Sequence, residues 1–236
     1  ALRGLAGESP GPIVISGLEH PSIGAPAEEL ARRGWEVVRL GAERSGIVRL
    51  EELEAALAKS PRVVALMLAN HETGVIQPVA EAAALCRAAK VPLHVDAVQA
   101  AGKLPLDFRA LGAATMTITA HKLGGPIGVG ALVVRQDVAL PPLLFGGFQQ
   151  GGWRPGTESV PLALAFAQGL AIWDDERAPR VERMTELRDL LEAKLRAELT
   201  DLVIHGASSP RLPQTSGIAF VGVDRQALMM ALDLAE

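Results

Sequence analysis

The 236-residue chain is 49% hydrophobic and carries a net charge of −4, which gives it ample material for a core and too much for a disordered segment. The mild acidity offers no general attraction for nucleic acid or an anionic membrane surface. Its length suits one large domain, or one domain and part of another, at roughly 100–200 residues each. The single cysteine, Cys86, excludes an internal disulfide framework and a cysteine-based zinc module.

The opening, ALRGLAGESPGP, lacks the apolar core of a signal peptide. No run of about 18 apolar residues is present to span a bilayer. A cytoplasmic location is the expectation. Ala1 stands where a start methionine would, and DRQALMMALDLAE closes the chain inside a helical pattern, so a longer parent protein is expected.

In chain order, residues 12–16 (PIVIS), 35–39 (WEVVR), 62–68 (RVVALML), 91–95 (VPLHV), 115–119 (TMTIT) and 129–134 (VGALVV) read as strands. Most are continuous apolar runs, the pattern of strands covered on both faces. Helical segments at 22–33, 51–58 and 78–90 lie between them. This rhythm predicts an α/β fold with a mostly parallel sheet.

Near residue 158 the rhythm changes. SVPLALAFAQGLAIW predicts a long apolar helix, which Pro179 is expected to break. A second helix over about 180–199 would bury a stripe of Val181, Met184, Leu187, Leu191, Leu195 and Leu199. A strand (LVIHG), a loop with Pro210 and Pro213, a strand (GIAFVGV) and a helix capped by Asp224 follow. The division expected is a large domain over 1–178 and the start of a small α+β domain over 179–236.

Ligands of parallel sheets bind beyond the carboxyl ends of the strands. The residues there are His20 after the first strand, Asn70-His71-Glu72-Thr73-Gly74 after the third, Asp96 and Gln99 after the fourth, and Thr119, His121 and Lys122 after the fifth. Each has a bland reading alone. Asp96 could cap a turn, a lone histidine is often a packing partner, and a lysine is usually solvated. Together they set a carboxylate, an amine and imidazoles on one rim.

That set suits pyridoxal 5'-phosphate. The cofactor needs an amine for a Schiff base and a carboxylate to keep its pyridine nitrogen protonated. It also needs hydroxyl, imidazole and backbone donors for its phosphate, and a flat side chain against its ring. Lys122, Asp96, Thr119 with His121, and His20 can fill these roles in that order. The segment GGPIGVG runs into a strand rather than a helix, so it reads as a sharp turn and not a dinucleotide loop. GGFQQGGWRPGTES reads equally as an anion-binding loop at a helix start, through Arg154 and Thr157, or as a flexible surface loop.

Five collinear segments, GLEHPSI, NHETGVIQPV, LHVDAVQAAGKLPLD, TITAHKLGGPIGVGALVVR and GGFQQGGWRPGTESVP, resemble the class V aminotransferase-like, pyridoxal-phosphate-dependent cysteine desulfurases. The likeness is to the branch serving nitrogenase and general iron–sulfur cluster assembly, and it covers residues 12–160. It implies a fold-type-I pyridoxal-phosphate enzyme that takes L-cysteine to L-alanine and an enzyme persulfide for an iron–sulfur scaffold or another acceptor protein. By this resemblance Lys122 bonds the cofactor and shuttles the Cα proton, Asp96 pairs with the pyridine nitrogen, and Gln99 bonds the phenolic oxygen. His20 stacks on the ring as an acid–base group, and Thr119 and His121 hold the phosphate. Thr157 reaches the phosphate of a partner subunit, which implies a homodimer.

The resemblance also marks departures. His71 stands where the family usually has Asn near the cofactor, Thr119 where Ser is common, and Gly151 and Trp153 where arginines are frequent. The family's catalytic cysteine and substrate-carboxylate arginine have no counterpart in this sequence, and Cys86, in AEAAALCRAA, reads as a packed thiol. Three other readings stay open. They are another class V reaction (selenocysteine lyase or aminotransferase), a metal hydrolase built on His94, Asp96 and His121, and a non-catalytic cofactor-binding relative.

Overall fold

A computed structural model describes residues 1–235. The chain forms α1 (Leu2–Ala6), β1 (Pro12–Ser16), α2 (Pro21–Arg32), β2 (Glu36–Leu40), α3 (Leu50–Leu57), β3 (Val64–Met67), α4 (Val79–Ala88), β4 (Leu93–Asp96), α5 (Phe108–Leu111), β5 (Thr115–Thr119) and β6 (Gly130–Val134). A long helix, α6 (Val160–Glu198), leads to a hairpin of β7 (Leu202–His205) and β8 (Gly217–Phe220), and then to α7 (Arg225–Asp233). Asp224 caps α7 as expected, its Oδ1 accepting the Ala227 N–H at 2.9 Å.

The first six strands make one sheet in the order β2-β1-β3-β4-β5-β6. The first five run parallel, and β6 pairs antiparallel with β5. Period-two alternation sends successive side chains to opposite faces. Ile13, Ile15 and Ala65 pack with Ile23, Ala27 and Leu30 of α2 and with Leu2 of α1. Val14, Val64, Leu66, Leu93 and Val95 pack on the other face with Leu53 of α3 and with Val79, Ala82, Ala83 and Cys86 of α4. This two-sided cover is why the strands are continuously apolar. Each fully buried Ile or Leu contributes about 1.5–3 kcal/mol.

The turn after Lys122 is as sharp as the glycines require. Gly124 and Gly128 have φ of 75° and 93°, and the chain returns as β6 beside β5.

Two expectations for the second half are corrected. Pro179 does not break the helix: α6 runs unbroken through it for 39 residues. Proline removes one N–H, which leaves the Asp175 carbonyl without its helical donor. Asp175 and Pro179 are both exposed, so that carbonyl is open to solvent rather than buried unpaired. The apolar stripe is also not the buried face. Leu187 and Leu191 are 48% and 49% exposed, whereas Glu192 is 7% exposed. Ion pairing wins over hydrophobicity here: Arg211 clasps Glu192 with two bonds of 2.7 and 2.9 Å, and Ser216 Oγ donates to the same carboxylate. Arg188 donates to the Leu212 carbonyl at 2.9 Å.

The loop between β7 and β8 returns to the large sheet. Ile76 N–H donates to Pro210 O at 2.9 Å, Leu212 N–H to Gly74 O at 2.8 Å, and Ser209 Oγ to Ser45 O at 2.9 Å. Among the described residues no helix is long and apolar enough to cross a membrane.

Candidate functional site

Because β1, β3, β4 and β5 are parallel, the residues at their carboxyl ends gather on one rim. His20 ends the first loop as the N-cap of α2, its Nδ1 accepting the Ser22 N–H at 3.1 Å, with Pro21 pre-set as the first helical residue. His71 follows β3, and its ring meets that of His20 edge-on, 5.1 Å between centroids. Its Nδ1 is buried without a hydrogen-bond partner among the described residues. A buried nitrogen left so is costly unless a further group fills the space beside it.

Asp96 is the last residue of β4 rather than the first of the turn. Its Oδ1 accepts the Val98 N–H at 3.0 Å, so the turn-capping reading is also true of it. Burial raises the Asp96 pKa, against the Val98 hydrogen bond and the positive charges that His20 and His71 can carry. Gln99 lies half-buried in the turn that follows.

At the end of β5, Thr119 Oγ1 and His121 Nδ1 are 3.0 Å apart. Thr119 Oγ1 also donates to Val129 O at 3.3 Å, so the consistent assignment makes His121 Nδ1–H the donor to Thr119. His121 and Lys122 form a short 3-10 turn and are exposed. The turn leaves Lys122 exposed at the carboxyl end of β5.

Four residues singled out in the sequence fall outside this group. His94 is 1% exposed, faces Thr115 Oγ1 at 2.9 Å, and burial drives its pKa down to about 3. Among the described residues no three His, Cys, Asp or Glu side chains are placed to hold a metal ion, so His94, Asp96 and His121 do not form the metal set that the hydrolase reading needs. Thr157 is exposed, two residues before the α6 N-cap Ser159, and Arg154 is exposed on the same loop. Neither donates a side-chain hydrogen bond to the rim. Cys86 is 1% exposed in the core, and burial pushes its thiol up to about 12, far from a reactive thiolate.

Sequence reading gave no role to three residues in or beneath the rim. Asn70 Oδ1 accepts from the Glu72 and Thr73 amides and from Thr73 Oγ1, and its Nδ2 donates to Leu18 O. It thereby shapes the His71 loop and ties it to the His20 loop. Glu19 Oε1 accepts the Met67 N–H at 2.7 Å, while its buried Oε2 has no partner among the described residues. Burial first, then the neighbouring Asp96, raises Glu19 to about 8, against the Met67 bond. Lys103 is 6% exposed beneath Lys122. Adjacency to His20 and His71 was the available signal for Glu19 and Asn70; nothing local marked Lys103 as buried.

The donor set fits pyridoxal 5'-phosphate on the structure's own terms. It offers an accessible primary amine, a half-buried carboxylate with no cation bound to it, an orphaned imidazole nitrogen, and a hydroxyl–imidazole pair beside the amine.

Comparison with known proteins points to the same cofactor. The family profile described as Aminotransferase class-V matches residues 5–236. The chain is 37% identical to a cysteine desulfurase of Nostoc sp. over 223 residues, 94% of this chain and 55% of the relative. It is 33% identical over 222 residues to cysteine desulfurase IscS of Dictyoglomus turgidum, covering 94% of this chain and 56% of that protein. Among solved structures, a NifS-like protein from Rickettsia africae superposes with a TM-score of 0.88 at 32% identity, covering 95% of this chain and 62% of that one. Another NifS-like protein reaches 0.91 at 30% identity, over 96% and 62%. The chain thus spans about half the length of the curated relatives it matches.

Proposed function

The chain belongs to the class V aminotransferase family, whose members depend on pyridoxal phosphate, and on that premise we propose that the full-length protein is a cysteine desulfurase. Its overall reaction takes L-cysteine and an enzyme thiol to L-alanine and an enzyme persulfide. The carbon–sulfur bond of the substrate breaks, a sulfur–sulfur bond forms on the enzyme, and a proton replaces sulfur on the alanine methyl. The observation that carries this reading is the Asp96–Lys122 rim, supported by relatives named cysteine desulfurase over 94% of the chain.

When bound, the cofactor supplies an electron sink for the substrate Cα carbanion. The residues divide the rest. Lys122 offers the amine that anchors the cofactor and then carries the Cα proton. Asp96 presents a carboxylate to a protonated ring nitrogen, and that positive charge offsets the burial that otherwise favours its neutral form. Gln99 bonds the phenolic oxygen. Thr119 and His121 hold the phosphate as a hydroxyl and an imidazole already facing each other. His20 covers the ring and moves protons, and His71 lies against it with one nitrogen free for the cofactor or substrate. Cys86, buried and poorly acidic, is not the sulfur-accepting thiol, so that thiol is assigned to a part of the protein outside this sequence.

Thr157 is proposed to serve the phosphate of a second subunit. The loop that carries it exposes Phe145 and Phe148 at 88% and 84%, apolar surface suited to a homodimer contact. Residues 1–178 would form the cofactor-binding domain and 179–236 the beginning of a small domain. An iron–sulfur scaffold or other acceptor protein in the cytoplasm would take the persulfide sulfur.

The test is made on full-length protein. Borohydride reduction should fix the cofactor on the peptide containing Lys122, and L-cysteine with a reductant should then release sulfide and alanine. An unlabelled Lys122 sinks the cofactor assignment. A labelled Lys122 with no sulfide points to a transaminase reaction, and turnover of selenocysteine alone points to a lyase.

A further inference from the structure

Lys103 is a buried cation with no acid to answer it. It is 6% exposed, yet no Asp or Glu forms an ion pair with it among the described residues. An unpaired buried ammonium is costly and survives only where other groups stabilise it. Two do so here. Its Nζ donates a hydrogen bond to the main-chain carbonyl of Lys122. It also lies 5.6 Å from the centre of the Trp173 ring, within cation–π range.

Trp173 is itself fixed to the same turn, since its indole N–H donates to Leu123 O at 2.7 Å. Gly102, next to Lys103, has φ of 79°, and a Cβ there would lie 2.9 Å from both Leu123 and Trp173. The packing is therefore closed around this turn. Lys103 and Trp173 grip the carbonyls of consecutive residues, Lys122 and Leu123. The Lys122 charge acts on Lys103 directly, Arg180 lies 5.0 Å from the Trp173 ring, and Asp174 and Arg177 line the cavity beside Gly102 and Trp173. Burial first, and then the Lys122 charge, together lower Lys103 to about 8.

We propose that Lys103 is a positioning residue for Lys122, fixing its main chain through the carbonyl and setting a positive charge beside the amine that holds the cofactor. The inference rests on Lys122 being that amine. A fixed carbonyl limits where the Lys122 side chain can start. A like charge nearby disfavours a second positive charge at the lysine-bound cofactor.

Two substitutions separate the grip from the charge in full-length, cofactor-loaded protein. Lys103→Gln keeps a donor for the Lys122 carbonyl and loses the charge; Lys103→Met loses both. The readouts are the pH midpoint of the bound cofactor's visible absorbance, cofactor retention on dialysis, and borohydride labelling of Lys122. Both variants should move the midpoint to higher pH by about half a unit or more, and K103M should also lose cofactor several-fold faster than K103Q. If K103M does not fold, K103Q alone carries the midpoint test. A labelled Lys122 with an unmoved midpoint in K103Q overturns the proposal and leaves the functional reading standing, because a purely structural lysine would alter stability and not the midpoint. An unlabelled Lys122 in the unaltered protein overturns both.

Discussion

Glu19 shows what burial does to a single carboxyl. Its pKa rises from an ordinary 4.5 to about 8 because the charged form is desolvated, with Asp96 as a like-charged neighbour. Between those two values the folded chain keeps a proton that the unfolded chain has released. Stability therefore falls as pH rises from about 4.5 to about 8. Glu19→Gln abolishes that slope while keeping an oxygen for the Met67 amide. In thermal unfolding of cofactor-free protein, the variant should match the parent near pH 5 and exceed it progressively toward pH 8, by up to about 4 kcal/mol. Parallel curves across this range would show that Glu19 is ionised throughout. At this scale the sequence was legible where a residue's chemistry is unusual for its place. Lys122, one of five lysines in the chain, and Asp96 both follow apolar runs. Glu19 was not legible, because its burial depends on loops more than forty residues apart in sequence closing over it.

Among the elements, strands read more easily than helices. Two-sided cover leaves an apolar run, and all six strands of the sheet lie within two residues of the runs that announced them. In α6 a local rule was overruled. Pro179 breaks hydrogen-bond continuity, but Trp173 on one side, held by Leu123 O, and Glu192 on the other, held by Arg211, anchor both halves along one axis. Tertiary anchoring exceeds the cost of about 3 kcal/mol that proline imposes on a helix interior. Pro179→Ala should accordingly stabilise the protein by about 1–3 kcal/mol in denaturant unfolding. No gain, or a loss, would mean that the fixed φ of proline at this position serves one of those anchors.

Across the whole molecule, the ion pair of Arg211 and Glu192 joins α6 to the loop that docks on the Gly74 turn. The side chains are only 7% and 10% exposed. Removing one partner strands the other, so Arg211→Met should cost about 3 kcal/mol or more. The double variant Arg211→Met with Glu192→Met should recover most of the loss, because an apolar pair leaves no buried charge behind. If the double variant is as unstable as the single one, the site needs the hydrogen bonds themselves, including that from Ser216. None of this could be read from the sequence, where Glu192 sits in a helix of alternating charge and the leucines suggest the buried face. A sequence pattern reports hydrophobicity, whereas this face was chosen by geometry between residues 19 apart.

The strand order has a consequence for how the rim came to hold an imidazole pair. From β1 the chain crosses one face of the sheet through α2 toward β2. From β3 it crosses the opposite face through α4 toward β4. Neighbouring strands whose exits diverge in this way leave a crevice between their carboxyl ends, the topological switch point of an open sheet. The crevice here lies between β1 and β3, and it is bridged where His20 meets His71, where Glu19 holds Met67, and where Asn70 holds Leu18. Two histidines 51 positions apart in sequence are neighbours because the sheet changes winding direction between them. His71 thus sits on the seam of the fold, where a change of side chain can retune the site without disturbing either layer of helices.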